Sequence, residues 1–292
     1  MACPICNKKN KFFSIDIKDY EYDLNTFATY VQCASCKTVY RKYPKVLSKN
    51  NVKKYYAKNK YLPVKGNILY DFLKNLYVNY EIKKIYKFLD KGFAKKKMNI
   101  IDIACGKGYL IKKISKNKNF NCYGIDENIK RFKKNNLNLI KSSYKNTKLI
   151  KKINPNLIIM NNFVEHIENN KDLYKIIKLM KKNSNFVIIT PDGDSYARKI
   201  FHKFWSGYHS PRHKIIYNRK SLKKFICKVK KIKYLESKLF DPFSNLISIK
   251  NIFQQISFKT FIIDSIKVFI FVFFVFIDLH KKNRIIVNIV KK

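Results

Sequence analysis

Glycine and proline are scarce in this chain, seven residues each among 292. With 15% aromatic and 46% hydrophobic residues beside them, that scarcity excludes a disordered chain. Acidic residues are also few. Nineteen Asp and Glu stand against 63 Lys and Arg, for a formal net charge of +44 at pH 7. Arginine is nearly missing from this excess and occurs only at Arg41, Arg131, Arg198, Arg212, Arg219 and Arg284. Lysine supplies the rest, scattered along the chain rather than gathered in a stripe. Arginine is the side chain that bidentate phosphate and base contacts favour. The charge therefore argues for solvated faces and against a dedicated nucleic-acid surface. It still favours anionic partners such as a lipid surface or a phosphorylated substrate. The opening Met1-Ala2-Cys3-Pro4 lacks the basic start and apolar run of a secretory signal. Seven cysteines in such a chain point to the cytosol, where thiols more often bind metals than form disulfides.

What is present is Lys, Asn, Ile, Tyr and Phe, the residues of AT-rich codons. The length suits one full core with small appendages, or two modest domains. Two C-x-x-C knuckles, Cys3-Pro4-Ile5-Cys6 and Cys33-Ala34-Ser35-Cys36, stand 26 residues apart. Each two-residue spacer aims two sulfurs at one point, and four thiolates make a closed tetrahedral site for structural zinc. No open position is left there for catalysis. Strand-like stretches such as Phe12 to Ile17 fill the interval.

Residues 45–98 read as helical and aromatic-rich, first around Val52 to Tyr56 and then from Asn67 to Leu89. In the second stretch Ile68, Phe72, Leu76, Ile82, Ile85 and Leu89 recur at helical spacing. From residue 98 strand and helix alternate. Strands are predicted at 99–103, 121–125, 137–141, 156–160 and 186–190, with last strands at 232–239 and 284–290. Helices are predicted at 108–116, near 129–134, and at 172–181 and 221–227. That alternation implies a mostly parallel sheet covered on both faces. The apolar run 268–277, inside 261–279, is too short to cross a membrane. Ten helical residues reach only about 15 Å against a bilayer core of about 30 Å. It suits burial against the domain or peripheral contact with a membrane.

The chemistry gathers at Asp102-Ile103-Ala104-Cys105-Gly106-Lys107-Gly108, where an apolar strand ends in an acid and a loop of small residues. Asp126 follows 24 residues later, at the end of the next strand, where a carboxylate can accept both ribose hydroxyls of a nucleoside. The loop lacks the G-x-G-x-x-G pattern that brings a helix N-terminus to a pyrophosphate, so it suits a nucleoside without phosphates.

This set resembles the Rossmann-like, class I S-adenosylmethionine-dependent methyltransferases, whose first motif is an acid, one residue, then G-x-G-x-G. Ala104 replaces the first glycine, while Gly106 and Gly108 hold the others. Asn156 to Asn169, with Val164-Glu165-His166-Ile167, resembles the fourth strand and its sequel. Thr190-Pro191-Asp192 resembles the end of the fifth strand. Trp205 to His213 resembles the W…G…P-x-H segment of the ubiquinone-type subgroup. The knuckles, Thr38-Val39-Tyr40, Pro44 and Tyr55-Tyr56 are similar to a zinc-ribbon branch of that subgroup, whose members often accompany polysaccharide or lipid biosynthesis. The likeness covers about 1–240 and 283–292.

The resemblance implies an α/β, Rossmann-like methyltransferase fold with a mostly parallel, seven-stranded sheet. It implies a zinc ribbon at 1–44, a helical cap or linker at 45–98, the methyltransferase domain at 99–240 and 283–292, and an apolar helical insertion at 241–282. Cofactor contacts fall to Asp102, Ala104, Cys105, Gly106, Gly108, Asp126 and Asn162. His166, Glu165 and His213 are the candidate catalytic residues, with His166 favoured as the base because it follows the fourth strand. Cys3, Cys6, Cys33 and Cys36 are the zinc ligands. The acceptor expected is a small molecule, namely a sugar, a polysaccharide precursor or a lipid-linked or quinone-like compound.

Three departures stand out. Asn154-Pro155-Asn156 replaces the acid that relatives carry before the fourth strand. Asn162 occupies the first position of an E-x-x-E-H metal group, which disfavours metal-assisted deprotonation. No adenine-contacting acid stands in Ser142-Ser143-Tyr144. An RNA methyltransferase is the main alternative, but Asn161-Asn162-Phe163-Val164 does not match the N-P-P-Y tetrapeptide of base-modifying enzymes. A third reading is a non-catalytic relative that binds zinc and membrane.

Overall fold

Isoleucines 100, 101 and 103 are wholly buried in the computed structural model, in an interior strand covered on both faces. The structure describes residues 2–21, 26–42, 68–167, 169–253 and 282–292. The predicted helix at 52–56, Pro44, and the apolar run at 268–277 lie outside the described residues.

Along the chain come β1 (Lys11–Lys18), β2 (Phe27–Cys33) and β3 (Val39–Arg41), then α1 (Ile68–Tyr86). β4 (Met98–Ile103), α2 (Tyr109–Ile114), β5 (Phe120–Asp126), β6 (Phe132–Lys134) and β7 (Leu137–Lys141) follow. Next are α3 (Thr147–Ile153), β8 (Leu157–Asn161), α4 (Asn170–Leu179), β9 (Asn185–Pro191) and α5 (Tyr196–Phe201). β10 (Ile215–Ile216), α6 (Arg219–Ile226), β11 (Ile232–Leu239), α7 (Pro242–Phe253) and β12 (Arg284–Lys291) complete the order. The chain divides into two compact units. One comprises Met1–Val64, Pro191–Lys224 and Lys238–Arg284, and the other Lys65–Thr190, Phe225–Ser237 and Ile285–Lys292.

The second unit is built on a sheet of order β11-β12-β9-β8-β4-β5-β7-β6. β4 pairs parallel with both β5 and β8, and β5–β7 and β8–β9 are parallel as well. The strand order reverses at β4, and a ligand crevice opens at the carboxyl ends of such a switch point. The sheet has eight strands rather than the predicted seven. The extra one, β6, lies where a helix was predicted near 129–134, and it pairs antiparallel with β7. Turn chemistry overrides the helical pattern. Asn135 adopts φ +52°, a left-handed geometry that asparagine tolerates. Asn136 then ties the turn to the carbonyls of Ser115, Asn117 and Phe120. Exposed Lys133 and Lys134 charge this edge strand, which protects it from pairing with another chain. α3 was not predicted; Asn146 caps it by accepting from Leu149 N–H at 3.1 Å.

α1 occupies the predicted stretch but buries a different stripe. Val78, Glu81 and Ile85 face inward, while Phe72, Leu73 and Leu76 are exposed.

In the first unit, β1, β2, β3 and β10 form an antiparallel sheet in that order. The three N-terminal strands thus take up Ile215-Ile216 as a fourth. Residues 208–213 are fastened to the same sheet. Tyr30 Oη donates to the carbonyls of Tyr208 and His213, Ser210 Oγ donates to Ile17 O, and Arg41 donates to Pro211 O. Arg212 and Asp19 form a two-bond ion pair, 3.3 and 2.8 Å, with both side chains buried. α7 braces the segment from its other end, with Ser206 N–H donating to Ser248 Oγ at 2.9 Å.

Replacing one member of a buried pair strands the other charge. Arg212→Met should therefore destabilise the unit by about 3–5 kcal/mol. Asp19→Asn added to it should recover much of the loss. Urea unfolding followed by Trp205 fluorescence checks this, and a single variant as stable as the parent would refute it.

Candidate cofactor and active site

The loop after β4 is drawn tightly against β5. Cys105 N–H donates to Ile125 O at 3.1 Å, and Gly108 N–H to Cys105 O at 2.9 Å. Gly106 N–H donates to Asp126 Oδ2 at 3.0 Å, while Asn128 N–H donates to Oδ1 at 2.8 Å. Asp126 is thereby aimed by two backbone donors and is only half-buried, so both oxygens keep lone pairs for a ligand. Gly124 permits the close approach. A Cβ there would lie 2.8 Å from Leu139 Cδ2 and 2.9 Å from Cys105 Sγ.

Ala104, Gly106 and Gly108 all adopt positive φ, at +58°, +55° and +74°. Glycine is at ease in that region and alanine is not. The one departure from the glycine pattern therefore sits at a strained position. Asn162, the other predicted cofactor residue, is also left-handed at φ +54°, and its N–H donates to Ile189 O at 2.8 Å.

Asp102 is 3% exposed. Burial lifts its carboxyl well above the ordinary range, and Glu81 and then Asp126 add to the rise. Glu81 comes from α1 and accepts from Asn161 Nδ2 at 3.2 Å. Reading the sequence missed both residues. The available signal was an acid between Val78 and Ile85, on the spacing of a buried helix stripe.

Of the candidate catalytic residues, Glu165 and His166 lie in the second unit, in a single 3-10 turn (Val164–His166) after β8. Glu165 is fully buried and accepts from Thr190 Oγ1 at 2.8 Å. His166 is half-buried, its ring 6.2 Å from that of Phe163, which meets Tyr144 at 5.0 Å. His213 lies in the first unit. Its Nδ1 is 2.8 Å from Gly207 O, and burial pushes its pKa down to about 4, so the ring is neutral at pH 7. Nearby His209 Nε2 is 3.3 Å from Glu21 Oε2, whose pKa burial raises to about 7.

Cys3, Cys6, Cys33 and Cys36 bring four Sγ atoms within 4.8 Å of one another, with two pairs at 3.5 Å. Thiolates on tetrahedral zinc stand about 3.8 Å apart, so the set fits that ion. The two knuckles repeat one geometry. In each, the N–H of the residue four on (Asn7, Lys37) donates to the first cysteine's carbonyl at 2.9 Å, and that residue is left-handed.

A family model described as a methyltransferase domain matches residues 75–226. The chain belongs to that methyltransferase family. Among solved structures, it is similar to Burkholderia thailandensis 1,6-didemethyltoxoflavin-N1-methyltransferase bound to 1,6-didemethyltoxoflavin and S-adenosylhomocysteine. That likeness has a TM-score of 0.50 at 8% identity and covers 89% of this chain and 97% of that one. It is also similar to the plantazolicin methyltransferase BpumL in complex with a triazolic desmethylPZN analog and SAH. Here the TM-score is 0.49 at 16% identity, covering 82% and 94%. No curated protein sequence matches. The family and fold make this chain an S-adenosylmethionine-dependent methyltransferase of the Rossmann-like class. No helix among the described residues of this methyltransferase is long and apolar enough to cross a membrane.

Ala104→Gly should raise the methyltransferase's stability by about 1 kcal/mol, because it releases the left-handed alanine. A urea midpoint that stays put or falls would show that the position is not strained.

Proposed function

We propose that the chain methylates a small-molecule acceptor, a sugar, a polysaccharide precursor or a lipid-linked, quinone-like compound, at the carboxyl edge of β4, β5 and β8. Asp102, Ala104, Cys105, Gly106, Gly108, Asp126 and Asn162 are the proposed cofactor contacts. The observation that carries the acceptor class is the aromatic patch in which Phe163 and His166, just after Asn162, meet Tyr144. A half-buried aromatic edge beside an imidazole suits a flat, partly apolar molecule with one ionisable group.

The cofactor, when bound, supplies a methyl group on a sulfonium for in-line displacement. The protein's part is to hold the acceptor atom about 3 Å from that methyl and in line with it. His166 is the proposed base for an acceptor hydroxyl, since histidine is the side chain most often used for such proton transfer and this one follows β8 directly. Glu165, fixed by Thr190, orients the turn that carries it. Neutral His213 in the first unit is the second candidate base. The four cysteines are proposed to hold a structural zinc, part of an N-terminal ribbon like that of the ubiquinone-type subgroup. The setting proposed is cytoplasmic, with peripheral membrane contact through 261–279, which lies outside the described residues.

Radiolabelled S-adenosylmethionine incubated with cell extract and the protein should put label into small or lipid-extractable molecules. His166→Ala should slow that transfer by about 10²–10⁴-fold while leaving S-adenosylhomocysteine binding intact. Label confined to RNA, with steep salt dependence, would favour the nucleic-acid reading instead.

Elemental analysis should find one zinc per chain, lost in Cys33→Ser together with order in the β1–β3 sheet. Metal-free protein with an unchanged near-ultraviolet spectrum would refute the zinc assignment.

A further inference from the structure

A groove in the second unit, between α1 and the end of α2, shares no lining residue with the cofactor loop. It measures about 560 Å³, which is within the range of a ligand pocket. One wall is apolar and comes from Phe72, Leu76, Ile82 and Tyr86 of α1. From Phe72 to Tyr86 that helix runs about 21 Å. The other wall carries Lys113 and Lys116, and none of the lining residues is acidic. Lys113 reaches across to α1, where its Nζ donates to Asn75 O and Oδ1, both at 2.8 Å. Tyr86 packs on Phe120, where β5 begins, whereas β5 ends at Asp126. That end of the groove therefore lies at the opposite edge of the sheet from the cofactor crevice.

α1 has two apolar faces. Val78 and Ile85 are buried, while Phe72 and Leu76 are 57% and 50% exposed. Large apolar side chains gathered beside cations mark an interaction site. The two walls define what fits between them. The α1 wall calls for hydrocarbon, and the paired lysines call for an anion. Partial burial and the Lys116 cation already hold the Lys113 ammonium below its ordinary pKa, a strain that an anion relieves. A partner helix is about 10–12 Å across with its side chains and enters such a groove only part-way. A bilayer is flat and meets the rim rather than the concave interior. A single alkyl chain with an anionic head satisfies both walls.

We propose that this groove binds a single-chain anionic amphiphile, a long-chain fatty acid anion, with its hydrocarbon along α1 and its carboxylate at Lys113 and Lys116. An ammonium has three donors, so Lys113 can keep Asn75 and still take the carboxylate. The assignment is independent of the methyl-transfer reading, and no sequence motif marks the site.

Equilibrium dialysis of the full chain against radiolabelled myristate, kept below its micellar range, tests this. One site per chain is expected. Leu76→Asp, at an exposed position, puts a like charge on the apolar wall and should weaken binding by about tenfold or more. Lys113→Gln with Lys116→Gln should do the same, as loss of a charged hydrogen bond does. Lys133→Gln with Lys134→Gln removes equal charge from exposed positions on β6, outside the groove, and should leave binding within about twofold. Tetradecyltrimethylammonium has the same chain and the opposite charge, and it should compete at least about tenfold less well than unlabelled myristate. Binding that neither groove variant weakens, that the β6 variant weakens equally, or that the cation displaces equally well would overturn the assignment. Uptake onto phosphatidylglycerol vesicles alone would give the face to a bilayer, and a dimer that Leu76→Asp dissolves would give it to a second copy; either overturns it as well. A wild-type chain that binds no myristate overturns it outright, whether the groove is bare or filled by another stretch of the chain.

Discussion

The hydrogen bond from Gly106 N–H to the Asp126 carboxylate is the contact on which the site depends. It closes the loop after β4, the strand at which the order reverses, onto the end of its neighbour β5. Three conditions make it possible. The loop must turn through left-handed φ at 104, 106 and 108, β5 must carry glycine at 124, and Asp126 must end its strand rather than begin its loop. If any of the three fails, the carboxylate and the loop no longer share one crevice. The strain at Ala104 is therefore borne by the element whose position matters most.

The N-terminal sheet does more than carry the two cysteine knuckles. Here the sheet of β1, β2 and β3 is completed by Ile215-Ile216, and its core includes Tyr208 and Trp205. Tyr30, Arg41 and Asp19 each reach into residues 208–213. The segment with His209 and His213 is short of regular structure, holding only isolated 3-10 turns and a two-residue strand. Side chains of the N-terminal strands hold it together with backbone hydrogen bonds from the N–H groups of Tyr208, His209, Arg212 and His213. The cysteine cluster lies at the far end of the same sheet, so its integrity bears on two histidines remote in sequence.

The Asp102 loop, β4, β8 and β9 were legible in the sequence because strands buried on both faces write themselves as apolar runs, and an acid closing such a run is conspicuous. The cysteine knuckles were legible because spacing alone aims the sulfurs. The region after β5 was not. Its helical pattern yields to a turn at Asn135-Asn136, and asparagine's tolerance of positive φ outweighs a few helix-compatible lysines. Nor was the pairing of β10 with β3 legible, since two residues carry no periodicity and their partners are some 175 positions away. Glu81 stayed hidden for a subtler reason. An acid two positions before Lys83 and Lys84 reads as solvated, and only the buried positions of Val78 and Ile85 show that its face turns inward.

That last point bears on the composition as a whole. The chain's 19 acids stand against 63 basic residues, so its charge does not depend on them for solubility. A surface this basic would gain from any exposed carboxylate through relief of self-repulsion. Burying acids therefore runs against what the surface favours, and each buried one calls for a specific reason. Asp19 has its arginine and Asp172 its lysines. Asp192 accepts from Asp194 N–H, and Glu81 accepts from Asn161 Nδ2. The acids of this chain are few, and several of them serve as internal ties rather than as surface charge.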